Sequence, residues 1–119
     1  MSLVDTPLMK SLASYLDVTA YRQGVVSANI ANIDTPGYHA RDINFKQELD
    51  KALGSPDAPL TPRTQEVPGL QERPDGNTVS LDREGLLLAQ TQLQFTTGVA
   101  LLRSELKRVS MAIQEDKGS

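Results

Sequence analysis

The chain contains no cysteine and no tryptophan. The first absence removes disulfide frameworks, thiolate metal sites and cysteine nucleophiles together, and leaves the redox compartment open. Rings are scarce, with two Phe and three Tyr in 119 residues. Aromatic side chains supply much of the buried area of compact cores, so a well-filled autonomous globule is not expected. Long apolar runs are missing as well: nothing approaches the ~18 residues that a membrane-crossing helix requires. Met1 to Lys10 holds Asp5 and Pro7 and no apolar stretch, so no cleavable secretory signal is expected. Twelve basic residues stand against fifteen acidic ones, for a net charge of −3 with both signs interspersed. There is no basic block to grip nucleic acid and no acidic tail. Nucleic acid is therefore not an expected partner.

What remains reads as one mainly α domain over 1–119, in three parts. The first is a helix expected over 6–33. Thr6 followed by Pro7 supplies an N-cap side chain and a proline at the first helical position. Pro36 and Gly37 stop it, since proline cannot continue the hydrogen-bond ladder and turns Thr35 away from helical angles. Leu8, Leu12, Leu16 and Ala20 mark one face of this helix, and Val18, Tyr21, Val25 and Ala28 another. A helix apolar on several sides expects cover on several sides.

The middle, 34–81, differs in kind. DINFKQELDKAL, from Asp42 to Leu53, has the composition for a few helical turns. The 25 residues that follow, 54–78, hold five of the seven prolines and three glycines. That density blocks regular structure and reads as an irregular, extended or disordered connector. The third part, 82–116, is the second long helix, with Asp82 as its expected cap. Leu88, Gln92, Phe95, Val99, Leu102, Leu106, Val109 and Ile113 recur at alternating spacings of four and three. Seven of those eight are apolar, the pattern of a coiled-coil seam. Leu87, Leu101 and Ala112 widen the apolar surface, and Lys107 and Arg108 suit the C-terminal end of the dipole.

The two terminal helices are expected to pair as a coiled-coil-like hairpin. A pair covers only one side of each member, and soluble monomers rarely tolerate the large apolar patches left over. Contact with further subunits resolves the conflict, and head-to-tail contacts that do not close generate helical assemblies. The bland alternative is a small bundle whose extra apolar positions are simply half-exposed.

Ser27 to Phe45 reads SANIANIDTPGYHARDINF, and Asp75 to Glu84 reads DGNTVSLDRE. Asn29 and Asn32 lie on one face at the end of the first helix, each amide able to donate and accept. Thr35, Pro36 and Gly37 terminate it, with Gly37 free to take positive φ, and Tyr38 is placed to fold back on the helix. An asparagine-rich helix end, a TPGY turn, ARDINF and DGN-x-V-x-LDRE, in that order, resemble the flagellar rod, hook and hook–filament junction family, and its short proximal rod members above all. The resemblance spans the chain apart from the proline-rich middle. It departs at Gly85, which costs about 1 kcal/mol of helix propensity against Ala, and at AQTQLQF, which lacks an expected Glu-Asn pair.

The resemblance implies a non-enzymatic, cofactor-free structural subunit of the periplasmic rod, exported through the flagellar type III apparatus. It implies self-association, with FlgC-like rod subunits, FliE and the MS-ring as neighbours, and no small-molecule substrate. The candidate subunit-interface residues are Asn29, Asn32, Thr35, Pro36, Gly37, Tyr38, Leu88, Phe95, Val99, Leu102, Leu106, Val109 and Ile113. The rival readings are another rod subunit of FlgC type, a cytosolic helical adaptor or chaperone, and a small hydrolase built on His39. Tyr38, His39, Arg41 and Asp42 carry acid–base groups, but they are nearly consecutive and no nucleophile motif accompanies them. Asp75-Gly76-Asn77 opens like a calcium loop, but its twelfth position is Leu86 instead of Glu.

Overall fold

A computed structural model describes residues 6–118, the last two as backbone only. The order is helix α1 (Pro7–Ala31), strand β1 (Arg41–Ile43), helix α2 (Phe45–Gly54), strand β2 (Thr64–Glu66) and helix α3 (Leu81–Gly118). The particle is elongated, 71 × 24 × 18 Å, and no described helix is long and apolar enough to cross a membrane.

Each helix begins where a side chain can serve an orphan N–H. Thr6 Oγ1 accepts from the Met9 N–H (3.1 Å) with Pro7 in the first turn. Asn44 Oδ1 accepts from Gln47 (3.1 Å), so α2 starts three residues after the expected Asp42, which lies in β1 instead. Ser80 Oγ accepts from Arg83 (3.3 Å), so Ser80 and not Asp82 caps α3, and the helix runs through the open position of Gly85. At its other end α1 stops two residues short of Ile33, where the Asn32 N–H closes on Ala28 O (3.1 Å).

The proline-rich connector does more than span a gap. Thr64–Glu66 pairs antiparallel with Arg41–Ile43, with Asp42 opposite Gln65. Val67 N–H extends the pairing onto Ala40 O (3.0 Å), and Arg63 N–H bonds the buried Glu48 carboxylate (3.2 Å). Burial pattern cannot announce three-residue strands flanked by Pro62 and Pro68, because a periodicity of two needs more residues to show.

Helices α1 and α3 form the hairpin, antiparallel, with Asn29 against Glu84 at one end and Leu16 against Gly98 further along. Their seam is narrow and partly polar. Glu84, Leu87, Thr91, Gly98, Glu105 and Val109 are buried along α3, and Met9, Ser14, Val18, Thr19 and Val26 along α1, where Ser14 lies beside Glu48 and Ala52 of α2. The two threonine hydroxyls bond carbonyls of their own helices, Thr19 to Tyr15 (2.7 Å) and Thr91 to Leu87 (2.9 Å). That satisfies the buried polar atoms without a cross-helix partner. At Gly98 the helices approach so closely that a Cβ would lie 2.7 Å from Leu16 Cδ2 and 3.3 Å from Tyr15 Cδ1. Helix α2 closes one flank, its Phe45 ring edge-on to Tyr15 with centroids 5.8 Å apart.

Candidate functional site

The two motif segments of the sequence meet at one end of the hairpin. Asn29 is fully buried and uses all four of its hydrogen-bonding positions within the chain. Its Nδ2 donates to Arg41 O (2.8 Å) and to Glu84 Oε1, and its Oδ1 accepts from Tyr38 OH (3.1 Å) and Arg41 N–H (3.0 Å). One amide thus ties the last turn of α1 to the Tyr38 ring, to β1 and to the first turn of α3. Asn77, also fully buried, plays the matching part from the other segment. Its Nδ2 donates to Asn32 O (2.9 Å) and Thr35 O (2.8 Å), capping the frayed end of α1, while its Oδ1 accepts from Val79 N–H (2.7 Å).

The turns themselves interlock. Gly37 N–H bonds Asp75 O (2.8 Å), Thr78 N–H bonds Tyr38 O (3.0 Å), and Ala40 N–H bonds Thr78 Oγ1 (2.9 Å). Gly37 and Gly76 both hold positive φ, at 76° and 84°. A Cβ on Gly76 would lie 3.3 Å from Gly37 Cα, so backbone meets backbone there. Arg73 adds a further strap, its guanidinium bonding Val79 O (2.8 Å) and Ile33 O.

A second knot lies beside the first. Asp42 receives Arg22 of α1 through both carboxylate oxygens (3.0 and 2.9 Å) and Arg83 of α3 (2.9 Å), while Arg83 also bonds the fully buried Glu84 (2.8 Å). Burial pushes the Asp42 carboxyl up. The hydrogen bonds from Arg22, Ile43 N–H and Arg83, with the Arg22 charge, outweigh it and hold the group below its ordinary range. Glu48 is also lowered, chiefly by the Lys51 ammonium against the opposing effect of burial.

These partners settle what the titratable cluster of the motif does. Tyr38 bonds Asn29, Arg41 bonds Thr64, Asp42 holds two arginines, and His39 Nδ1 faces Glu66 at 3.2 Å on an exposed surface. The four side chains thus go to different partners. Asp75 Oδ1 accepts from Asn77 N–H (3.0 Å), which makes Asp75-Gly76-Asn77 a turn. Among the described residues no group of three or more His, Asp or Glu is arranged to hold a metal.

The candidate interface residues therefore divide. Asn29 is saturated within the chain and has no hydrogen-bonding position left for a neighbour. Asn32 and Tyr38 are half-buried, whereas Thr35, Pro36 and Gly37 form an exposed turn. On α3 the heptad residues do not coincide with the line facing α1. Val109 is buried and Leu88, Val99, Leu102 and Ile113 are half-buried, but Phe95 is 36% and Leu106 44% exposed. Of that heptad only Val109 is fully buried, and the other buried positions of α3 are Glu84, Leu87, Thr91, Gly98 and Glu105. A separate ridge occupies the far side of α3: Leu86 and Leu93, seven residues apart and so on one face, are 70% and 69% exposed. Sequence pattern does not show what Arg22, Arg73, Asn77, Thr78 and Glu84 bond, because their main partners are distant in the chain.

Comparison with known proteins follows the same residues. The family model for flagella basal body rod proteins matches residues 12–39. The flagellar basal body rod protein FlgB of Salmonella typhimurium is 36% identical, over 83% of this chain and 87% of that protein. The FlgB proteins of Escherichia coli and Yersinia ruckeri are 37% and 34% identical, over 83% and 84% of this chain and 87% and 88% of theirs.

Proposed function

Because the chain belongs to the flagellar basal body rod family, we propose that it is a structural subunit of the proximal rod which assembles through its helix faces into a hollow shaft. The observation that carries this reading is the mismatch between a clamped fold and uncovered helices. One end of the hairpin is locked by saturated hydrogen bonds, yet Leu81, Leu86, Leu93, Leu101, Leu106 and Met111 are 44–70% exposed. Apolar surface on that scale is stabilised by burial against a neighbour.

In this reading the clamp fixes the geometry of each subunit and the helix faces make the contacts between subunits. A clamp of charge-assisted bonds resists shear, as a torque-bearing part must. The neighbours are further copies, FlgC-like rod subunits, FliE and the MS-ring, and delivery is through the flagellar type III apparatus. The exposed Thr35-Pro36-Gly37 turn and the Leu88–Ile113 flank are the surfaces assigned to those contacts.

The test is incorporation. A strain lacking the gene should lose its rods and its motility, and the tagged chain should restore both and co-purify with basal bodies. Leu102→Asp with Leu106→Asp should abolish rod assembly while export continues; normal rods in that strain would remove the flank from the assembly. A chain that remains soluble in the cytoplasm and absent from basal bodies would overturn the reading.

A further inference from the structure

Asp75-Gly76 is the only place in the chain where Asp or Asn precedes glycine. That sequence carries a covalent chemistry of its own. The backbone nitrogen that follows an aspartate can attack the side-chain carboxyl, and glycine, without a Cβ, hinders the attack least. The fold demands this glycine. Gly76 holds φ +84, and a Cβ on it would lie 3.3 Å from Gly37 Cα. The fold also uses the aspartate: its Oδ1 accepts from Asn77 N–H (3.0 Å) and its backbone O from Gly37 N–H (2.8 Å).

The same bonds withhold the reaction. Gly76 N–H donates to Arg73 O (2.8 Å) and Arg73 N–H to Asn77 O (2.9 Å), closing the turn from both sides. Pro74 inside it has a locked φ. Fully buried Asn77 anchors the turn to Asn32 O and Thr35 O at the end of α1. The attacking nitrogen therefore keeps its proton on a carbonyl, and the carboxylate is held by the N–H of residue 77. Attack requires the turn to open and these bonds to break.

We infer that Asp75 is a modification site, a residue that converts to isoaspartate when the interlocked turns are open and is protected when they are closed. The Gly76 nitrogen bonds to Asp75 Cγ, and the carboxyl OH leaves with the amide proton as water, closing a succinimide ring. Water then adds to the former backbone carbonyl carbon, and the bond from that carbon to the Gly76 nitrogen breaks. The main chain now runs through Cβ and Cγ, with a free α-carboxylate beside it. The carbonyl that received Gly37 N–H is gone from the main chain, and the oxygen that received Asn77 N–H has become a peptide oxygen. A main chain lengthened at this point no longer holds Gly76 against Gly37 and Asn77 on the end of α1 together. An isoaspartyl chain is thus unable to close the clamp, so closure protects the residue on which closure depends. The inference is independent of the rod reading.

The full-length chain is kept in warm neutral buffer, folded or unfolded in guanidinium chloride. Peptide mapping with electron-transfer fragmentation distinguishes isoaspartate from aspartate at position 75. Isoaspartate should accumulate there in the unfolded chain and at least about tenfold more slowly in the folded one, each tenfold being about 1.4 kcal/mol of local opening cost. Asp75→Glu, whose carboxyl is too far along the side chain for the five-membered ring, should form none in either state. Equal rates folded and unfolded would overturn the protection, and an unfolded chain without isoaspartate at 75 would overturn the site. The isoaspartyl chain is then returned to buffer without denaturant and followed by hydrogen exchange. Its Gly37 and Thr78 amides should exchange freely, whereas unaged and Asp75→Glu chains taken through the same cycle regain protection there. Equal protection in the isoaspartyl chain would overturn the effect on the clamp.

Discussion

Asn29 and Glu84 lie 55 residues apart in sequence, are both fully buried, and share a hydrogen bond that joins the last turn of α1 to the first turn of α3. Glu84 receives Asn29 on one carboxylate oxygen and Arg83 on the other. The Asn29 amide and the Arg83 guanidinium together permit a carboxylate at 84 to be buried.

Asn29→Asp replaces that donor with a second buried carboxylate. The expected loss is at least about 3 kcal/mol at neutral pH, from like-charge contact and from the unpaired Arg41 carbonyl. Urea unfolding at pH 7 checks this, and a loss below about 1 kcal/mol would contradict it.

Asp42 sets a pH dependence in the unsubstituted protein. Its folded pKa lies below the ordinary 3.8, so its stabilisation is present above that value and is lost as pH falls through the lower folded pKa. Asp42→Asn should cost about 3 kcal/mol at pH 7, leaving Arg22 and Arg83 without their anion. The gap in melting temperature between the two chains should narrow as pH is lowered below about 4. A gap that stays constant to pH 2 would show that the two arginines are not held by the charge.

Glycines 76 and 85 should respond in opposite directions to alanine. Gly76 has φ +84 and meets the Gly37 backbone, whereas Gly85 is in helix with open space around it. Gly76→Ala is expected to destabilise by roughly 1–3 kcal/mol through strain, and Gly85→Ala to stabilise by about 1 kcal/mol through helix propensity. Thermal denaturation of both chains distinguishes them, and a stabilising Gly76→Ala would contradict the interlocked turns.

Gly98→Leu tests the closest approach of the hairpin. The added side chain collides with Leu16 and Tyr15, and overpacking of this kind costs about 1–3 kcal/mol. Full stability would place the helices further apart at Gly98 than the Leu16 and Tyr15 contacts allow.

Much of the architecture is legible in the chain. Thr6-Pro7 and Pro36-Gly37 bracket α1, and the 3–4 spacing of apolar residues gives α3 its type and length. The side facing inward is less legible. The richest apolar line on α3 is only partly covered: Val109 is buried and Leu88 half-buried, but Phe95 and Leu106 are exposed. Thr91, Gly98 and Glu105 occupy the seam instead, because close approach and self-satisfied hydroxyls decide which face fits α1. Periodicity counts apolar residues and is blind to that fit. The clamp was half visible: both motif segments stand out, but nothing local shows that Asn77 caps the end of α1 or that Asp42 gathers Arg22 and Arg83. Long-range polar partners leave no period in a sequence.

The most direct test of the whole account is a side-chain-resolution image of purified basal bodies containing this chain. The account predicts the Asn29–Glu84 and Asn77–Thr35 bonds within each subunit, with Leu86, Leu93 and Leu101 covered by adjacent copies. Asn29 turned outward to another subunit, or those leucines facing solvent in the finished shaft, would contradict it.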